Sequence, residues 1–113
     1  MNLLSTFHET TRIVTVNETR IDAAVAIQFK DAMRTETAEG PDHIILDLSA
    51  VDFIDSSGLG AIVATMKQLG NGRKLDLAGL TPAVDKVFRL TRMDSVFRLY
   101  ATLNSALEVE TDT

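Results

Sequence analysis

The stretch between residues 44 and 69 constrains the fold of this chain more than any other. It opens with the apolar run Ile44-Ile45-Leu46, which is too short for a typical helix and is apolar on both faces, as in a central β-strand. Beyond a turn rich in aspartate and serine, apolar residues recur at helical spacing, namely Leu59, Ile62, Val63, Met66 and Leu69. The stretch therefore predicts a buried strand over residues 43–48 and a helix from about Ser57 to Gly70, with Ser56 at its entrance.

Strand and helix patterns alternate along the rest of the chain as well. Two segments, Leu3 to His8 and Arg12 to Asn17, are expected to form a hairpin, the second being rich in β-branched residues. A helix capped by Asp22 follows and ends before Gly40-Pro41, because proline disfavours helical geometry in the residue before it. The later patterns predict a strand at 74–78, a helix that Thr81-Pro82 begins, a strand at 96–100 and a helix at 104–109.

This order, β-β-α-β-α-β-α-β-α, indicates an α/β fold. Strands that alternate with helices pair in parallel through right-handed crossovers, whereas a hairpin pairs antiparallel. We therefore expect a mixed sheet of about five strands with about four helices, in a single domain over residues 1–113. The acidic residues 108–113 are expected to fray.

Composition narrows the possible functions. The 113 residues carry a net charge of −5, which disfavours nucleic-acid binding through phosphate neutralisation and suits a protein partner better. The chain has no cysteine, so disulfides, thiolate metal sites and a cysteine nucleophile are excluded. The N-terminus lacks the pattern of a secretory signal, and no apolar run approaches the roughly 20 residues that span a bilayer. We expect a cytoplasmic protein that binds neither nucleic acid nor membranes.

The entrance to the central helix is suited to holding a phosphate group. A helix N-terminus presents unpaired N–H groups and about half a positive charge. Gly58 and Gly60 lie near the first turn, where each costs roughly 0.5–1 kcal/mol relative to alanine, so a tight turn or space for a partner is indicated. Neither of the standard nucleotide-binding glycine loops is present, and the Gly-x-Ser-x-Gly elbow is missing too. The structural alternative is that Ser56 or Ser57 is the N-cap, worth about 1 kcal/mol.

Candidate catalytic groups are few. Asp47, Asp52 and Asp55 are adjacent only in sequence and are interpreted as turn formers or surface charges. His8 and His43 have no companion ligands in the sequence, so we expect no catalytic residue, no metal site and no cofactor. A small basic cluster is interpreted as a solvated face or, alternatively, as a contact for an acidic partner: Lys86, Arg89, Arg92 and Arg98.

The central segment resembles the signature of the STAS domain family (sulphate transporter and anti-sigma factor antagonist), and most closely that of the free-standing anti-sigma factor antagonists. The matching residues are Asp47-Leu48-Ser49, Val51 and Phe53-Ile54-Asp55-Ser56-Ser57-Gly58-Leu59-Gly60. Weaker resemblance extends over nearly the whole chain, including Ile21-Asp22-Ala23, Val87-Phe88 and Tyr100. The family often has a glycine where this chain has Glu18-Thr19-Arg20, which predicts a local change of turn there.

The resemblance implies a partner-switching function. In that family the dephosphorylated antagonist binds a serine kinase that is also an anti-sigma factor, and this binding releases the sigma factor. The kinase then phosphorylates the antagonist, and a metal-dependent serine phosphatase resets it. The phosphorylated position corresponds to Ser56, and the kinase-binding surface would comprise Asp55, Ser57, Gly58, Leu59 and Gly60. The protein is expected to be a monomer or weak dimer.

Other functions remain open at the level of sequence. The chain could be a STAS subunit of a multi-protein signalling scaffold or of a membrane transport complex, or a partner switch with a non-sigma output. A small-ligand or nucleotide-binding domain is a further alternative. An enzyme is disfavoured, because no base, nucleophile or metal set is apparent.

Overall fold

The structure, a computed structural model, describes residues 1–111. The elements along these residues are β1 (Leu3–His8), β2 (Thr11–Val16), β3 (Arg20–Ile21), α1 (Ala26–Thr37), β4 (His43–Asp47), β5 (Phe53–Ile54), α2 (Ser56–Leu69), β6 (Lys74–Ala78), α3 (Pro82–Leu90), a 3₁₀ turn (Met93–Ser95), β7 (Leu99–Tyr100) and α4 (Leu103–Thr111). Within this described part, no helix is long and apolar enough to cross a membrane.

A five-stranded mixed sheet forms the centre of the fold, with strand order β1-β2-β4-β6-β7. The hairpin β1–β2 is antiparallel, and β2, β4, β6 and β7 pair in parallel. The register aligns Thr15, Asp47 and Ala78 across three neighbouring strands. The expected mixed α/β sheet with four α-helices is therefore confirmed, and the central strand of the sequence analysis is the middle strand of the sheet.

The helices cover both faces of the sheet. Alternate strand residues point to one face, where they form the main core with residues of α1, α2 and α3. The largest fully buried side chains of this core include Phe29, Met33, Ile62 and Phe88. On the other face, α4 packs its Ala106 against Ile45 and Ala78, in a smaller second cluster.

A small second sheet, which the sequence patterns did not indicate, lies beside the main one. Strands β3 and β5 pair in parallel, with Arg20 opposite Phe53 and Ile21 opposite Ile54. The backbone carbonyl of Thr19 accepts hydrogen bonds from the N–H groups of Asp52 and Phe53, so the two segments stay hydrogen-bonded just before the paired strands begin. Strands of two residues carry no detectable hydrophobic period, so only long-range pairing defines them. This small sheet holds the segment before α1 against the segment before α2.

Several predicted boundaries shift. Helix α1 begins at Ala26 and not at Asp22, because the Asp22 Oδ1 accepts the Ala24 N–H and stabilises a turn. Strand β7 is restricted to Leu99–Tyr100 and does not extend over 96–100 as predicted. The N–H groups of Val96 and Phe97 donate to the Met93 carbonyl in the 3₁₀ turn and are not available for strand pairing. Thr81 is the N-cap of α3 as expected, but its hydroxyl donates to the Val51 carbonyl at 2.8 Å.

The C-terminal helix is longer than the sequence pattern indicated. Helix α4 continues through Thr111 and so includes the first four of the residues 108–113 that were expected to fray. The remaining residues, 112 and 113, lie outside the described residues.

Candidate functional site

Asp55, and not a serine, caps the helix that carries the candidate site. Helix α2 begins at Ser56, and Asp55 has the extended backbone of an N-cap residue. Its Oδ1 accepts the Gly58 N–H at 2.9 Å, which satisfies one of the unpaired donors of the first turn. The prediction that Ser56 or Ser57 is the N-cap is therefore wrong. Aspartate takes this role because a carboxylate is both a good cap acceptor and a favourable charge at a helix N-terminus.

The second carboxylate oxygen of Asp55 fixes the site to a distant segment. Oδ2 accepts the Ala23 N–H at 3.1 Å, and Ala23 lies between β3 and α1. The hydrogen bond from Gly58, followed by that from Ala23, lowers the pKa of Asp55, although desolvation opposes them. The carboxylate therefore stays ionised to a lower pH than an ordinary aspartate, and it ties the start of α2 to the segment between β3 and α1.

Ser56 and Ser57 are both exposed on the first turn of α2. Neither hydroxyl makes a hydrogen bond with any other residue of the described chain, so neither is needed as a cap. Their position is one where an added negative charge meets the positive end of the helix dipole. The structure thus presents two adjacent hydroxyls that are accessible and have no structural role in local hydrogen bonding.

The two glycines of the first turn have different reasons for being glycine. Gly58 is buried, and a Cβ placed on it would lie 2.0 Å from the Ile21 carbonyl oxygen, so β3 can approach only a glycine. Gly60 is exposed, and a Cβ on it would meet nothing within 4 Å. Tight packing therefore explains Gly58, whereas no contact within the described residues requires Gly60.

The predicted partner-binding residues are not equally accessible. Ser57 and Gly60 are exposed, Asp55 and Leu59 are half-buried, and Gly58 is buried. Leu59 packs against the main core. A partner that approaches this turn would therefore meet the hydroxyls and the Gly60 surface first. Gly58 would not touch the partner, and its role would be to let β3 pack closely against the start of α2.

Sequence patterns did not indicate two exposed apolar side chains, one in the strand that leads into α2 and one at the start of α1. Phe53 is 40% exposed and lies under the Arg20 guanidinium, 4.3 Å from the ring centroid to Arg20 Cζ. The same guanidinium pairs with Asp22, at 3.1 Å between Nε and Oδ2. Ile27, in the first turn of α1, is 70% exposed. The sequence could have indicated the exposure of Ile27, because this residue lies off the apolar stripe of α1. It could not have indicated the contact of Arg20 with Phe53, because that contact depends on the short sheet.

The remaining candidate polar residues lie elsewhere or have structural roles. Asp47 Oδ1 accepts the Ser49 N–H at 3.0 Å, which supports its interpretation as a turn former. His43 has companions that the sequence did not reveal, since its Nε2 lies 2.7 Å from the Oδ2 of Asp76, a residue only 4% exposed. The Thr11 hydroxyl lies 3.4 Å from the other ring nitrogen. These residues share the α4 face of the sheet, and no group of acidic, histidine or cysteine residues among positions 1–111 is placed to hold a metal.

Comparisons with known proteins agree on the kind of domain. The family model described as "STAS domain" matches residues 2–106. The anti-sigma-F factor antagonist RsfB of Mycobacterium tuberculosis is 32% identical over 87 residues, which cover 77% of this chain and 71% of the relative.

Solved structures give the same picture. A crystal structure of an anti-sigma factor antagonist from Mycobacterium paratuberculosis matches with a TM-score of 0.85 and 32% identity, over 96% of this chain and 92% of that one. The phosphorylated form of the Bacillus cell fate determinant SpoIIAA matches with a TM-score of 0.67 over 95% of this chain and 97% of that one. At 20% identity, that second likeness shows the fold alone.

Proposed function

This chain belongs to the STAS domain family, and we propose that it serves as an anti-sigma factor antagonist in a cytoplasmic partner-switching pathway. Relatives that are 32% identical carry that name. The observation that carries the proposal is the exposed Ser56 hydroxyl at the first position of α2, beside a cap that Asp55 supplies alone. The protein acts by binding and by being modified.

The unphosphorylated form binds an anti-sigma factor serine kinase and thereby releases its sigma factor. In the kinase complex, the Ser56 Oγ attacks the γ-phosphorus of ATP, the bond to the β–γ bridging oxygen breaks and ADP leaves. The hydroxyl proton passes to a base on the kinase. A metal-dependent serine phosphatase later hydrolyses the phosphoserine and restores the binding form.

The fold is suited to accept this charge without rearrangement. Phosphorylation adds about −1.5 to −2 charges at neutral pH. At the first turn of α2 this charge interacts favourably with the helix dipole, worth roughly 0.3–1 kcal/mol at an exposed position. No described contact has to break, because the Ser56 hydroxyl has no hydrogen-bond partner among residues 1–111 to lose. The phosphate oxygens remain in water.

An interface over the same turn would not tolerate the phosphate. A dianion enclosed by a closely packed partner loses its hydration, and any acidic group opposite it adds repulsion. The exposed Phe53 and Ile27 and the open surface at Gly60 provide the apolar and close-approach contacts such an interface needs. The switch is therefore a change in binding and requires no change in fold.

The decisive experiment compares the two adjacent hydroxyls. Wild type, Ser56→Ala and Ser57→Ala proteins are used to capture an ATP-dependent kinase from the source cell, and the purified kinase is then incubated with each protein and ATP. We expect phosphate on Ser56 in wild type and in Ser57→Ala, and none on Ser56→Ala, as measured by intact-mass spectrometry and peptide mapping. Equal phosphorylation of Ser56→Ala and wild type would contradict the proposed site. Failure of wild type to bind any serine kinase would contradict the proposed function.

A further inference from the structure

Strand β1 presents an open edge of the main sheet. Among residues 1–111 it pairs only with β2. Just before the strand, the Asn17 N–H donates to the Asn2 carbonyl at 2.9 Å, which defines a hydrogen-bonded pair. Such pairs alternate along an antiparallel ladder, so Leu4, Thr6 and His8 direct their backbone groups to β2. The N–H and C=O groups of Leu3, Ser5 and Phe7 therefore point away from the sheet.

This edge lacks the features that usually prevent strands from pairing with other chains. Residues 3–8 contain no lysine, arginine, acidic residue or proline, and their register with β2 is continuous, without a bulge. Leu4 is 53% exposed and Phe7 is 60% exposed. The opposite edge of the sheet differs, because β7 has only the two residues Leu99–Tyr100. A short strand is itself a protected edge, whereas β1 offers six residues for pairing.

We propose that β1 pairs antiparallel with β1 of a second copy of this chain, about a two-fold axis that passes through Ser5. Residues directly opposite each other in a sheet point their side chains to the same face. A two-fold axis keeps this arrangement only if one residue lies opposite its own equivalent in the other copy. An axis through Ser5 places Leu3 opposite the Phe7 of the other copy, twice. It also pairs the outward backbone groups of Leu3, Ser5 and Phe7 with their equivalents, joining two five-stranded sheets.

The uncharged residues of this edge and the symmetry of the Ser5-centred register suit a second copy as its occupant. Two chains of net charge −5 repel each other, so self-association needs a contact without acidic groups. Residues 3–7 supply such a contact. Arg12 lies over the Phe7 ring, with its Cζ 4.5 Å from the centroid, and its Nη1 donates to the Ser5 Oγ and lies 3.8 Å from the Glu36 Oε2, so this positive charge beside the strand is already balanced. A single pair of strands buries a small interface, so the dimer is weak and its population rises with protein concentration.

Cross-linking tests the register directly, because the natural chain has no cysteine. In the Ser5-centred pairing, the two Ser5 residues face each other at about 5.5 Å between Cα atoms, within disulfide range. Two Thr6 residues would be displaced along the strands beyond that range. Under mild oxidation we expect Ser5→Cys to form a disulfide-linked dimer and Thr6→Cys to remain largely monomeric on a non-reducing gel. Efficient cross-linking of Thr6→Cys alone would overturn the register.

Sedimentation velocity tests the surface itself, with proteins compared from micromolar to near-millimolar concentration. Phe7→Lys places a charge at the edge, and Ile27→Lys is its matched control on α1, where the isoleucine is 70% exposed against 60% for Phe7 and is remote from β1 in the chain. Because each Phe7 contact occurs twice, we expect Phe7→Lys to raise the dimer Kd by about tenfold or more and Ile27→Lys to leave it unchanged. A wild type that stays monomeric throughout, or a Phe7→Lys protein that dimerises like wild type, would overturn the proposal. Neither outcome depends on phosphorylation of Ser56.

Discussion

At the scale of single residues, the candidate site separates the group that holds the structure from the group proposed to be modified. Asp55 fixes the first turn of α2 through two backbone hydrogen bonds, to Gly58 and to Ala23. Ser56, its neighbour in the chain, makes none within the described residues. The sequence placed all these residues in one turn, but it could not distinguish them. Which of three adjacent polar side chains turns back onto the helix depends on backbone geometry that a residue pattern does not specify.

Asp55→Ala is predicted to destabilise the protein, while Asp52→Ala is not. Loss of an N-cap costs roughly 0.5–2 kcal/mol, and the lost contact with Ala23 places the expected change toward the upper end. Asp52 is an exposed aspartate of the same turn whose side chain has no hydrogen bond or ion pair among residues 1–111. Urea unfolding followed by circular dichroism measures both changes. Equal stability of the two variants would contradict the capping role of Asp55.

The contribution of Asp55 to stability is predicted to depend on pH. Its hydrogen bonds lower the pKa of the folded carboxyl below the ordinary value of 3.8. The stabilisation is therefore fully present above that ordinary value and is lost as the pH falls through the lower pKa of the folded state. The difference in unfolding free energy between wild type and Asp55→Ala should shrink in strongly acidic solution. A difference that stays constant with pH would show that the ionised carboxylate is not the stabilising species.

Alanine at the two glycines is predicted to have opposite effects. At Gly58 the added Cβ would meet the Ile21 carbonyl, so Gly58→Ala should destabilise the protein by about 1–3 kcal/mol, as overpacking does. At Gly60 the added methyl has open space, so Gly60→Ala should stabilise helix α2 by roughly 0.5–1 kcal/mol. Thermal unfolding of both variants provides the comparison. A kinase that binds Gly60→Ala more weakly, despite its higher stability, would place Gly60 in the interface.

Among the helices and strands, those with a long hydrophobic pattern were predictable from the sequence, and those defined by short strand pairing were not. Helix α2 and strand β4 were located to within a residue or so, since each repeats its pattern over several positions. Strands β3 and β5 have two residues each and were missed. Their pairing brings Arg20 and Phe53 beside the site, so the error in the fold became an omission in the site.

Strand β6 also carries a buried acidic residue that its alternating pattern concealed. Asp76 occupies a polar position of the pattern, yet α4 covers that face of the sheet, and Asp76 pairs with His43 at 2.7 Å. Asp76→Ala is predicted to lower the unfolding free energy by about 1–3 kcal/mol, because it removes a buried hydrogen-bond acceptor. Gln68→Ala, an exposed change on α2 whose side chain makes no hydrogen bond within the described residues, is the control and should change stability little. Chemical denaturation distinguishes them, and similar effects of the two would contradict a structural role for the pair.

At the scale of the whole molecule, phosphorylation of Ser56 is predicted to leave the fold unchanged. The phosphorylated and unmodified proteins should unfold within about 1 kcal/mol of each other, because the new charge lies at an exposed helix N-terminus. Circular dichroism melting measures this, and calorimetric titration with the kinase should show the loss of affinity. The parallel control is Ser57→Ala, in which phosphorylation of Ser56 should cause the same loss of kinase affinity as in wild type. A large drop in stability on phosphorylation would contradict a switch based on binding alone.

The division of roles between Asp55 and Ser56 bears on how such proteins can diversify. The residue proposed to receive the signal is not one on which the fold depends, and the exposed Gly60 and Ile27 are likewise outside the packed core. Gene duplication can therefore produce sister proteins whose recognition surfaces differ while their stability is retained. Several such proteins can then operate in one cell, each binding its own kinase, because a few surface substitutions on a common fold change which kinase is recognised.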